Sequence, residues 1–139
     1  MARPAPTARS SALRILNSVL GEGRLMSEVL GTGLLDPLSA PDRARAQRLA
    51  NDTLRGMERA DRLLNRHLRK QPPLLVRNVL RLATVEICMG GDAHGVVNEA
   101  VALVGQDRRT FAMKGLVNAI LRKVADTGHE QWELLRAPR

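Results

Sequence analysis

An all-α fold is what this sequence predicts, and three observations predict it. Apolar residues recur three and four positions apart through most of the 139 residues, the spacing that lines one face of a helix. Aromatic content is one Trp and one Phe with no Tyr, whereas strands favour aromatic and β-branched side chains. Glycines, a proline pair and small polar residues fall between the periodic runs, where helices start and stop. A chain of this length buries roughly two thirds of its unfolded surface, so a self-sufficient core of Leu, Val, Ile, Ala and Met is within reach.

The elements follow in order. Residues 1–7, with Pro4 and Pro6, are expected to be a flexible N-terminus, and Thr7 to cap the first helix. That helix is expected over 8–20, with Ala12, Leu16, Val19 and Leu20 on its apolar face and Gly21 and Gly23 stopping it. A shorter helix is expected over 27–35, ended by Asp36-Pro37. Ser39-Ala40-Pro41-Asp42 is a start signal: a cap residue, a first-turn proline and an acid near the positive end of the helix dipole. From there Ala46, Ala50, Thr53, Met57, Ala60, Leu64 and His67 alternate by four and three, which predicts one long helix over 42–70 or two with a bend at Gly56.

Pro72-Pro73 breaks the chain, and residues 74–89 are apolar on most sides, as in a central buried helix. Gly90-Gly91 ends it. A helix over 96–104, a charged linker over 105–109 and a last helix over 110–125 complete the pattern, the last striped by Met113, Leu116, Val117, Ile120, Leu121 and Val124. Beyond residue 125 the periodicity fades into a polar stretch containing Trp132, Leu134 and Leu135. The helical domain is therefore expected over 8–125, and residues 126–139 as the start of a linker to a further domain.

The balance of 22 Lys plus Arg against 14 Asp plus Glu gives a net charge of +8. A polyanion is the natural partner, and the Arg fork pairs bidentately with phosphate. A source genome rich in Arg codons gives the same totals, so position matters more than the sum. Arg45, Arg48, Arg55, Arg59, Arg62, Arg66 and Arg69 form a regular stripe, which reads first as an ordinary solvated helix face. Better RNA-binding candidates are Arg3 and Arg9 at the N-terminus and Arg108, Arg109 and Lys114 at the start of the last helix. A helix start adds free amides to a nearby basic side chain.

No catalytic centre is read in these residues. Cys88 lies in the most apolar helix, where a thiol is a core filler rather than a nucleophile. His67, His94 and His129 are far apart and none has a partner at metal-ligand spacing, so no metal site is expected. Gly90-Gly91 follows a helix, which makes it a helix end and not a phosphate-cradling loop. A single Cys, no signal peptide and no apolar run near ~20 residues make a cytoplasmic location and no membrane partner the expectation.

Two linked stretches resemble a known family. Val97-Asn98-Glu99-Ala100-Val101, followed by Lys114-Gly115-Leu116-Val117-Asn118-Ala119-Ile120-Leu121-Arg122, is similar to the paired "NEAV" and "FVN-x-[VI]-L" signature of NusB-type domains. Residues 80–87 resemble that family's central helix, and Ala8-Arg9 with Ala12 its N-terminal start. The fold this implies is two small helical bundles packed at a steep angle. Asn98, Glu99 and Asn118 are its structural signature, with the asparagine amides expected to satisfy helix-end backbone groups between apolar helices.

Two branches share the domain. Asn118-Ala119-Ile120-Leu121-Arg122 and Leu54-Arg55-Gly56 resemble the version at the N-terminus of small-subunit ribosomal-RNA (cytosine-5) methyltransferases of the RsmB/Sun type. The resemblance then implies a non-catalytic domain that positions ribosomal RNA through phosphate contacts, with S-adenosylmethionine and two catalytic cysteines in a domain outside these residues. The other branch implies a free-standing transcription antitermination factor that binds RNA together with a ribosomal protein. Members of that branch often carry an aromatic where Leu116 stands.

Overall fold

The computed structural model describes residues 4–135, and all regular structure among them is helical. Seven α-helices follow one another: α1 (Ala8–Glu22), α2 (Met26–Leu30), α3 (Ala40–Arg55), α4 (Met57–Leu64), α5 (Leu74–Cys88), α6 (Ala93–Gly105) and α7 (Lys114–Leu134), with a 3-10 turn at Phe111–Met113. The chain divides into two compact units, Met1–Asn51 and Asp52–Arg139, the boundary falling within α3.

In the first unit the start of α1 is closed by a reciprocal cap. The Thr7 hydroxyl accepts from the Ser10 amide at 3.0 Å, and the Ser10 hydroxyl oxygen accepts from the Thr7 amide at 2.8 Å. Gly21 does not stop the helix as expected; it runs to Glu22, and Gly23 ends it with a left-handed φ of 70° that a side chain would resist. The second helix is shorter than the expected 27–35. Gly33, at φ 84°, cannot continue an α-helix, and the chain turns through Leu35 and Leu38, which are buried without being helical. Their apolar spacing reported burial, not helix. Ser39 caps α3 as expected, accepting from the Asp42 amide at 3.3 Å.

The second unit is built around α5, which packs against α4, α6 and α7. Val76, Val79, Leu80, Leu82, Ala83, Val85 and Ile87 are all buried on it, the all-round apolar pattern of a central helix. Two arginines share this helix. Arg81 grips Asp61 on α4 with two bonds, Nε to Oδ1 at 2.8 Å and Nη2 to Oδ2 at 2.9 Å. Arg77 reaches the same carboxylate at 3.5 Å and the Asn65 side-chain oxygen at 3.2 Å. The Arg77 side chain is only 7% exposed, so this group of charges ties α4 to α5 in largely dry surroundings.

Gly56 does mark a break between α3 and α4, and α4 stops at Leu64 rather than near residue 70. Its end tightens into 3-10-type bonds, Arg66 amide to Leu63 carbonyl and His67 amide to Leu64 carbonyl. α6 begins earlier than expected because Asp92 caps it, accepting from the Gly95 amide at 3.2 Å.

The last helix is the main departure. It continues to Leu134 instead of ending near Ala125, so residues 126–134, expected as the start of a linker, extend the helix. Gly128 and Trp132 prolong the buried stripe of Val117, Ile120, Leu121 and Val124. The Arg59 guanidinium of α4 lies 4.2 Å from the centre of the Trp132 ring, and its Nε donates to the Trp132 carbonyl at 2.8 Å. A Cβ at Gly56 would come within 3.1 Å of the same ring. Glycine is what lets the indole lie down there.

Candidate nucleic-acid interface

The turn between α6 and α7 is organised from inside by Thr110. Its buried hydroxyl donates to the Val104 carbonyl at 2.8 Å and its amide to the Asp107 carbonyl at 3.0 Å. The Phe111 amide also donates to Asp107, at 2.9 Å, and the Met113 amide to Thr110, at 2.8 Å. These bonds hold the turn and leave Arg108, Arg109, Phe111 and Lys114 on its outside, all exposed.

Three of the five predicted RNA-binding residues, Arg108, Arg109 and Lys114, therefore meet on one loop. Their states differ. Arg109 is clasped by Asp107: Nε to Oδ1 at 3.2 Å, Nη2 to Oδ2 at 3.0 Å, and the Arg109 amide to Oδ1 at 2.8 Å. These bonds from Arg109 hold the Asp107 carboxyl below its ordinary range, and the pair raises the Arg109 guanidinium in turn. A phosphate reaching Arg109 must compete with that carboxylate. The Lys114 stem lies over Gly105, where a Cβ would come within 2.8 Å of Cδ, an apolar support under an exposed charge.

The free helix-start amides expected here are partly spent. The 3-10 turn runs straight into α7, so the Met113 amide goes to Thr110 and the Lys114 amide to Phe111. Phosphate attraction thus rests on side-chain charge. Sequence reasoning missed Phe111, which is 54% exposed beside these cations. The available signal was its place outside the apolar stripe of the helix expected over 110–125. Leu116, 42% exposed, lies on the next turn. An exposed ring beside Arg and Lys offers base stacking together with backbone neutralisation.

The remaining predicted residues lie elsewhere. Arg9 is half-buried on α1, in the first unit, and Arg3 falls outside the described residues. Asn98 is exposed and its amide pairs with the His94 ring at 3.2 Å, while the Asn118 side-chain oxygen accepts from Arg122 Nε at 3.4 Å. Neither amide makes the helix-end backbone bond expected of it; both face side chains on their own helices. Glu99 is half-buried. In the Arg stripe Arg59 is taken up by Trp132, whereas Arg62, Arg66 and Arg69 are exposed.

Chemistry is poorly supported by the surroundings of the other polar groups. Burial pushes the Cys88 thiol up to about 11, with Arg59 opposing weakly, so thiolate is scarce at neutral pH. His67 is lowered by desolvation first and then by Lys123 and Arg66. No group of His, Cys, Asp and Glu among the described residues is arranged to hold a metal ion. The strand, Gly-rich loop and helix that cradle S-adenosylmethionine in Rossmann-like domains have no counterpart in the described helices; the residues present do not fit that cofactor. No helix among the described residues is long and apolar enough to cross a membrane.

No curated protein and no solved structure matches the chain. The NusB family model matches residues 6–126, a span that takes in α1 to α6 and more than half of α7. The chain belongs to the NusB family, a membership that suggests RNA binding.

Proposed function

We propose that this chain is the RNA-handling, non-catalytic part of a small-subunit ribosomal-RNA cytosine-5 methyltransferase, and that it holds RNA through phosphate contacts at the turn between α6 and α7. The observation that carries the reading is the exposed pair Arg108 and Lys114 flanking the exposed ring of Phe111. Arg109 joins them when a phosphate displaces Asp107; Arg3 and Arg9 are proposed as separate RNA contacts of the N-terminal segment. The methyltransferase branch is supported by the resemblance of Asn118-Ala119-Ile120-Leu121-Arg122 and Leu54-Arg55-Gly56 to that version of the domain.

Filter binding of a small-subunit ribosomal-RNA fragment at about 50 and about 200 mM salt tests the electrostatic part. Arg108→Gln and Lys114→Gln should each weaken binding uniformly across sequences and flatten the log–log salt dependence by about 0.7 to 0.9. Binding that ignores salt, or that neither substitution changes, would overturn it. The branch is tested by reading the gene beyond Arg139. A frame continuing into a Gly-rich strand–loop–helix with two later cysteines is expected. A stop codon there, with a stable complex with a small ribosomal protein on co-purification, gives the antitermination factor instead.

A further inference from the structure

A second surface feature lies further along the same two helices. The first two turns of α6 and the middle of α7 border an open pocket of about 280 Å³. Ala93, Val97 and Ala125 give it apolar walls, and His94, Asn98, Arg122 and Asp126 supply its polar groups. The volume is near the small end of ligand sites, which run from ~300 Å³ upward, and suits one planar ring system. Its charges nearly cancel, because Arg122 and Asp126 stand one helical turn apart on α7. A phosphate gains little in such a site. A neutral group carrying donors and acceptors side by side gains more.

We infer that this pocket takes one unpaired guanine base of the bound RNA. A carboxylate accepts from two adjacent N–H groups, and guanine is the base that presents two, at N1 and N2. A guanidinium fork matches the O6 and N7 acceptors on the neighbouring edge of the same base. The Asn118 bond, at 3.4 Å, engages only the Nε donor of Arg122 and leaves the four donors of the fork for the ligand. The His94–Asn98 pair closes the opposite wall.

The pocket is also placed to be reached. Lys114, Asn118 and Arg122 follow one another at intervals of four along α7, a stripe that winds from the basic turn to the pocket rim. Lys114 to Arg122 spans ~12 Å of helix, which three or four stacked nucleotides cover at ~3.4 Å each. A strand held by its phosphates at the turn can therefore deliver a base to the pocket. The inference rests on the RNA-binding reading above, and it makes base identity matter at one position of an otherwise sequence-tolerant contact.

Fluorescence anisotropy with the 139-residue chain and nine-nucleotide RNAs tests it: oligo(U) against the same oligomer carrying a single G at each position in turn. One G, a few nucleotides from the register held at the turn, is expected to raise affinity about tenfold, within the range of a bidentate base contact. A single A or C should not. Asp126→Asn keeps the shape but sets an amide donor against the donor edge of guanine, and the ratio of G-containing to plain oligomer should fall to near one. Arg122→Gln should lower the same ratio. If RNA binds with the expected salt dependence but no G is preferred, or the preference survives both substitutions, the pocket inference is wrong and the RNA reading stands. If no oligomer binds at low salt, the RNA reading itself fails and the inference with it.

Discussion

Asp61→Ala should destabilise the Asp52–Arg139 unit by about 3 kcal/mol, at the lower end of what removing one partner of a buried ion pair does. Two guanidinium groups, with Arg77 at 7% and Arg81 at 14% side-chain exposure, then lose their shared carboxylate. Asn65 and Asn78 remain as neutral acceptors and soften the effect without supplying a counter-charge. Asp61 itself is 24% exposed, so water screens part of the loss and keeps it at the lower end of that range. Urea unfolding followed by far-UV circular dichroism gives the change in midpoint at constant slope. A loss below about 1 kcal/mol would mean the cluster behaves as an ordinary surface ion pair. Combining Asp61→Ala with Arg81→Leu should cost less than the sum of the two single changes, since the second removes a charge the first has stranded.

Trp132→Ala should be as damaging, about 3 to 5 kcal/mol on the scale of large-to-small core replacements. The ring is 5% exposed, stacked under Arg59 and pressed against Gly56, so its removal leaves a cavity and takes the ring face from beneath the Arg59 guanidinium. A chain ended at residue 125 should lose a comparable amount, because the last turns of α7 go with it. Trp132→Phe, which keeps a ring face for Arg59, should lose less than half as much. Thermal melts report the effect as a drop of roughly 10 to 17 °C for a chain of this size. A Trp132→Ala melt within a degree or two of the parent would show that the indole is not packed as described.

Local rules account for the parts of this fold that the sequence discloses. Thr7 and Ser39 act as caps, Pro72-Pro73 separates two helices and Gly56 breaks a third run, because each depends on atoms within a few residues. The apolar pattern of α5 identified the central helix for the same reason. What stayed hidden depends on partners far along the chain. Arg77 is buried only because Asp61 arrives from α4. Trp132 completes the core only because Arg59 and Gly56, more than seventy residues earlier, are shaped to receive it. Gly128 concealed the continuity of the stripe, since a residue without a side chain carries no hydropathy signal.

The basic turn was legible as a place and less so as an arrangement. Arg108, Arg109 and Lys114 were found by their position before a helix. That Asp107 holds Arg109 while Arg108 stays outside depends on the path of the turn, which no periodicity encodes. Asn98 and Asn118 sit in apolar helices, which predicts amides that satisfy helix-end backbone groups; each instead pairs with a side chain one turn away on its own helix.

The Thr110 hydroxyl and the backbone bonds around it hold the turn from within, so the scaffold depends little on which side chains stand at the outward positions 108, 109, 111 and 114. Such an arrangement is easily remodelled: substitutions there can retune which RNA is favoured while the scaffold beneath is untouched. A library varied at those four positions, with Thr110 kept, would explore ligand preference without a screen for stability.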